Sequence, residues 1–66
     1  MQVKLNGECT FIEQNTSLGK LIDTLVTDRR GVAVAVNGVV ITRSEWDKRI
    51  LKGDDAIEVL SIAAGG

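Results

Sequence analysis

The group best placed to do chemistry in this 66-residue chain is the carboxylate at its end, on Gly66, reached through Ala63-Ala64-Gly65. Two glycines in a row accept almost any backbone angle and carry no side chain, so such a tail can thread a narrow channel. It presents the least hindered acyl group a protein offers. A C-terminal carboxyl with a pKa of about 3.3–3.7 is ionised at neutral pH and can attack a phosphorus centre without a base of its own. The plain alternative is a frayed, small-residue terminus. Other reactive candidates are few. Histidine is absent and there is one cysteine, Cys9, which excludes an internal disulfide and a structural zinc site. Cys9 sits in an alternating stretch and reads as a small buried hydrophobe, with no base to activate it. Asp54-Asp55 suggests paired carboxylates, but neighbours in a turn need not point at one site, and a solvated turn is the expectation.

Composition narrows the field further. Eight basic and nine acidic residues leave a net charge of −1. They are interleaved along the chain, and Phe11 and Trp46 are the only aromatic residues. Neither a nucleic-acid partner nor an acidic membrane surface is expected. No leader pattern opens the chain and no apolar run approaches membrane-spanning length, so a cytoplasmic location is expected.

The elements that must position the tail are legible from periodicity. Val3 and Leu5 alternate with Gln2 and Lys4 as in a half-buried strand. Asn6-Gly7 is a two-residue hairpin signal, and Cys9–Ile12 is the returning strand. Thr16 or Ser17 offers a helix cap. Leu18, Leu21, Ile22, Leu25 and Val26 then recur at helical spacing, with Gly19 a weak point of about 1 kcal/mol against alanine. Asp28-Arg29-Arg30-Gly31 ends that helix, with both arginines solvated. Val32–Val36 predicts a strand with valines on one face and Ala33 and Ala35 on the other. Asn37-Gly38 turns it back into Val39–Ile41. Ser44 is a candidate cap for a short helical segment whose Trp46 lids one end of the core. Arg43 has two possible partners, Glu45 nearby or a carboxylate elsewhere. Lys52–Asp55 is a turn, and the last strand runs Ile57 to Ile62.

Two hairpins, one helix and a closing strand predict an α+β roll, a mixed sheet of about five strands over one helix. The expected organisation is one domain over residues 1–62 with a flexible tail over 63–66. If Ile57 and Val59 face the helix, strand period two sends Glu58, Leu60 and Ile62 outward, an apolar patch beside the tail that would suit a protein partner. The competing register places Leu60 under the Trp46 segment.

The opening strand with Asn6-Gly7 leads a longer pattern. Thr16 precedes a Leu-rich helix, and Val34-Ala35-Val36-Asn37-Gly38 follows. Arg43-Ser44-Glu45-Trp46, Gly53-Asp54 and the Gly65-Gly66 end complete it. In order, spacing and total length this resembles the sulfur carrier proteins of thiamin biosynthesis, the ThiS family, within the ubiquitin-like β-grasp superfamily. Thr42 stands where that family often has proline, and Ala63-Ala64 lies where its members vary among small residues. The resemblance implies a carrier rather than an enzyme, with no bound cofactor and no metal. A ThiF-like adenylyltransferase would join the Gly66 carboxylate to AMP from MgATP. Sulfur from a cysteine-desulfurase persulfide would then displace AMP to leave a thiocarboxylate, which a ThiG-like thiazole synthase would accept. A molybdopterin-synthase small subunit and a ubiquitin-like protein modifier share the same activated end. An interaction module with an inert tail differs from all three, because it alone tolerates loss of Gly65-Gly66.

Overall fold

The computed structural model describes residues 1–61. Strands β1 (Gln2–Leu5) and β2 (Glu8–Phe11) form an antiparallel hairpin in which Leu5 pairs with Glu8 and Gln2 with Phe11. Asn6 (φ 51°) and Gly7 (φ 86°) make its two-residue turn, the pair of positive angles that matches the twist of the flanking strands. Ile12 lies just past β2 and exchanges hydrogen bonds with Met1 at 2.8 and 2.7 Å.

Helix α1 (Leu18–Leu25) is capped by Ser17, whose hydroxyl accepts from the Lys20 N–H at 3.1 Å. Thr16, the other candidate cap, instead donates its hydroxyl to the Glu13 carbonyl. The helix stops at Leu25, so Val26 lies beyond it as the C-terminal cap. Leu18, Leu21 and Ile22 are buried, whereas Leu25, expected in the same stripe, is exposed. It occupies the last helical position and lines an open groove between α1 and β2, where the sheet no longer covers it.

Strands β3 (Val32–Val36) and β4 (Val39–Ile41) form the second hairpin about Asn37 (φ 52°) and Gly38 (φ 82°). A 3₁₀ segment, Arg43–Lys48, follows. Its cap position is Thr42; Ser44 sits inside the segment and does not cap it. The chain then passes beside the start of α1, where the Leu18 N–H donates to Arg49 O at 2.7 Å and the Leu51 N–H to Thr16 O at 2.9 Å.

Strand β5 (Ala56–Ser61) closes the sheet at its centre, giving the order β2-β1-β5-β3-β4. It is parallel to β1, through Lys4–Ala56 and Leu5–Ile57, and antiparallel to β3 from Val36–Ile57 to Val32–Ser61. The fold is therefore the expected α+β roll, a β-grasp in which a mixed sheet of five strands holds one helix. Val3, Val34, Val36 and Ile57 from the sheet meet Leu18, Leu21 and Ile22 from the helix, and Leu51 and Trp46 complete the core. Trp46 is 1% exposed and its indole N–H donates to Ile41 O at 2.9 Å, so the lid satisfies its own polar atom.

Candidate functional site

Of the residues predicted to matter most, Ile62, Ala63, Ala64, Gly65 and Gly66 lie outside the described residues, as do the proposed domain boundary and the end of the last strand. What the structure places is the strand that leads to them. β5 alternates as strand geometry requires: Ile57 is wholly buried and Val59 half-buried, while Glu58 is exposed and Leu60 is 69% exposed. Leu60 pairs with Ala33, and Ala35 sits between Glu58 on one side and Val40 on the other. Val40 is 73% exposed and both alanines are half-buried. Leu60, Ala33, Ala35 and Val40 thus form one small-residue and aliphatic surface on the side of the sheet away from α1, edged by Glu58. Leu60 is not under the Trp46 segment. Val40 is not among the residues read from sequence as part of this surface, although the Asn37-Gly38 turn, which sets Val40 opposite Ala35, is a signal that places it there.

The start and the middle of β5 are held by asparagine side chains from the two hairpin turns. At the start, Asn37 Oδ1 accepts from the Ala56 N–H at 2.9 Å, and Asn37 Nδ2 donates to Asp55 Oδ1 at 2.9 Å. Asp55 Oδ2 also accepts from the Lys52 N–H at 2.8 Å. Further along, Asn6 Oδ1 accepts from the Val59 N–H at 2.8 Å. Asp54-Asp55 is therefore not a solvated pair. Asp54 is exposed in a left-handed turn (φ 69°), whereas Asp55 is buried and spends both oxygens tying the turn together. A buried carboxylate with both oxygens occupied is structural, because burying it without partners is costly.

The expectation of solvated arginines holds for Arg30 and changes for Arg29. Arg30 pairs with Asp28 at 2.7 Å, holding that carboxyl down to about 2. Arg29 is half-buried: its guanidinium spans Asp23 (2.8 Å) on α1 and Asp47 (2.9 Å) on the 3₁₀ segment, and lies 5.7 Å from the Trp46 ring centre. Its hydrogen bonds lower the pKa of Asp23 and Asp47, and theirs raise its own. This clamp explains Gly19. A Cβ there would run onto Asp47 Oδ1 and come within 2.9 Å of Arg29 Nη2, so the residue that looked like a weak point makes room for the clamp. Arg29 escaped sequence reading because its two partners lie 6 and 18 residues away.

Cys9 is exposed, contrary to the expectation of burial. It pairs with Lys4, whose neighbours Val3 and Leu5 take the inward positions, so the register of β1 turns Cys9 to the outer face. Arg43 is also exposed. Among the described residues no group of acidic, cysteine or histidine side chains could hold a metal ion, and no helix is long and apolar enough to cross a membrane. The groove between α1 and β2 is lined by Leu5, Phe11, Ile12, Leu21 and Leu25 together with Glu13, Lys20 and three threonines, whose hydroxyls donate to the backbone carbonyls of Glu8, Glu13 and Leu21 and not to a side-chain base.

A β-grasp domain that presents an aliphatic face on the strand leading to a Gly-Gly sequence has the architecture of the small ubiquitin-like carriers. The sequence model of the ThiS family matches residues 3–66. The chain belongs to the ThiS family. It is 26% identical to the sulfur carrier protein ThiS of Escherichia coli over the full length of both chains. It is 36% identical over 66 residues to a thiazole synthase of Magnetococcus marinus, of whose length it spans 20%. The crystal structure of the thiamine biosynthesis protein ThiS from Geobacter metallireducens superposes with a TM-score of 0.84 at 29% identity, covering both chains completely. These matches favour the thiamin carrier over the molybdopterin-synthase subunit and the protein modifier.

Proposed function

We propose the following chemistry for this sulfur carrier of thiamin biosynthesis. The Gly66 carboxylate attacks the α-phosphate of MgATP in the active site of a ThiF-like enzyme, releasing pyrophosphate and forming an acyl adenylate. A free carboxylate is a poor acyl donor, and AMP is the leaving group that adenylation supplies. A persulfide sulfur, generated by a cysteine desulfurase, attacks the acyl carbon and expels AMP, leaving an acyl disulfide. A thiol then cleaves the S–S bond, so that the donor side ends as a disulfide and Gly66 ends as a thiocarboxylate. A ThiG-like thiazole synthase takes the sulfur. The thiazole synthase of Magnetococcus marinus, which contains a segment similar to this chain, supports that last partner.

The observation that carries the reading is the position of Leu60, 69% exposed on the outer face six residues before the terminal carboxylate. Such a side chain gains about 1.5–3 kcal/mol when a partner buries it, enough to bring the tail to an active site. Ala63, Ala64 and Gly65 are the spacer that reaches into it, and Leu60, Ile62 and Glu58 are the docking surface, extended by Val40. The chain supplies no catalytic group of its own: it is the substrate of each step, and MgATP is bound by the activating enzyme.

The test is the intact mass of the chain after incubation with MgATP, a ThiF-like enzyme and a persulfide source. One oxygen replaced by sulfur at Gly66, and no change after deletion of Gly65-Gly66, is the expected result. An unchanged mass, with the same enzymes active on another carrier, would refute the reading.

A further inference from the structure

β5 outruns its parallel neighbour. β1 pairs with it only at Lys4–Ala56 and Leu5–Ile57, after which the chain turns away through Asn6-Gly7. The ladder continues nevertheless. The Lys4 N–H donates to Asp55 O and the Asn6 N–H to Ile57 O, both at 2.8 Å, and the next rung is the Val59 N–H donating to Asn6 Oδ1 at 2.8 Å. In a longer parallel strand that acceptor would be a backbone carbonyl. Here the asparagine side chain stands in for it, adding one rung where β1 no longer runs alongside. A hairpin turn of this type needs only a residue that tolerates positive φ, and glycine or aspartate serves as well as asparagine. The turn therefore leaves the Asn6 side chain free to hold β5, and it holds the residue just before Leu60 and the path to the terminus.

We infer that Asn6 is a positioning residue for acyl activation: β3 holds one edge of β5 as far as Ser61, the Asn6 side-chain carbonyl holds the other edge at Val59, and the two together narrow the range over which the strand delivers the terminal carboxylate once the outer face has docked. The inference rests on the carrier chemistry proposed above. It predicts a specific kinetic split, because this chain is the substrate and not the catalyst. A variant that partly unfolds, or docks less well, lowers the concentration of competent carrier and raises KM. A variant that docks normally but delivers its terminus over a wider range of positions lowers kcat at constant KM.

Asn6→Gly keeps the turn and removes the acceptor; Asn6→Asp keeps both the turn and an acceptor oxygen. The experiment is steady-state adenylation of the full chain by a ThiF-like enzyme with MgATP, together with amide hydrogen exchange of the free carrier. For Asn6→Gly the expected result is faster exchange at the Val59 amide with Ile57 unaffected. Its kcat should fall by about fivefold, the weight of one ordinary hydrogen bond, with KM unchanged. Asn6→Asp should restore both. Unaltered exchange at Val59, an unaltered kcat, a change confined to KM, or an equal loss in Asn6→Asp would each overturn the inference. Failure of the parent chain to be adenylated would refute the carrier chemistry and this inference with it, whereas normal turnover of both the parent and Asn6→Gly refutes this inference alone.

Discussion

Successive residues of β5 answer to different demands. Ile57 is fully buried between α1 and the neighbouring strands, while Leu60, three residues on, is 69% exposed beside Ala33. Both are aliphatic, and a hydropathy average would treat them alike. The inner residue gains its stabilisation when the chain folds; the outer one leaves its apolar surface available for association. One strand thus separates stability from recognition by side-chain parity, and the separation can be tested by substituting each face in turn.

The largest effect is expected on the inner face. Ile57→Ala removes a wholly buried side chain at the centre of the sheet and should cost about 2–5 kcal/mol, depending on how far Val36, Leu18 and Ile22 collapse into the space. Urea unfolding should show a lower midpoint at constant slope. A cost below about 1 kcal/mol would break the comparison, because the two faces would then differ in exposure but not in energy.

Leu60→Glu is the reciprocal experiment. An exposed position away from caps and turns should leave stability within about 0.5 kcal/mol. Affinity for the activating enzyme should fall by about tenfold or more, from lost apolar burial and a carboxylate placed next to Glu58. Equal affinity of parent and variant in a titration calorimeter would remove the outer face from the docking surface.

How far sequence reaches follows the same division between near and distant partners. Asn6-Gly7 and Asn37-Gly38 announce their hairpins because turn geometry is set by the two residues themselves, and the α1 stripe announces its face because its period is local. Leu60 was placed outward from alternation alone. Arg29 and Asp55 are misread for a common reason: each environment is made by residues that become neighbours only on folding. Asp23 and Asp47 converge on Arg29, and Asn37 reaches Asp55 across 18 residues. Cys9 is a different miss, because the two-residue Asn6-Gly7 turn itself sets Lys4 opposite Cys9 and so turns it outward. Asn6 combines the two cases. Its turn role was local and legible, and its bond to Val59, 53 residues away, was not.

Gly19→Ala tests the inner face from the helix side, with a smaller effect. Alanine gains about 1 kcal/mol of helix propensity over glycine. Its Cβ must displace the Asp47 carboxylate, which breaks one arm of the Arg29 clamp and offsets part of that gain. Stability should change little, but Asp47, now held low chiefly by its hydrogen bonds to Arg29, should titrate closer to its ordinary value of 3.8. An unmoved Asp47 titration, followed by side-chain NMR, would mean that the clamp tolerates the added methyl.

The smallest effect is expected from acid, and it sharpens the contrast between burial and surface charge. Asp23, Asp28 and Asp47 all have folded-state pKa values depressed by arginine hydrogen bonds, Asp28 to about 2. A depressed carboxylate binds protons more weakly in the folded chain than in the unfolded one. Its contribution is therefore fully present above the unfolded value of 3.8 and is lost as pH falls through the folded value. These three groups should leave stability flat above about pH 5 and make it decline from there toward about pH 2. The pairs lie at the surface, where water and salt screen them, so the decline should be shallow beside the loss from Ile57→Ala and shallower still in 1 M salt. Arg29→Gln should remove the part due to Asp23 and Asp47 while leaving that of Asp28, whose partner is Arg30. A steep acid transition that Arg29→Gln abolishes would show instead that the clamp over Trp46, and not apolar burial, is what keeps the inner face closed.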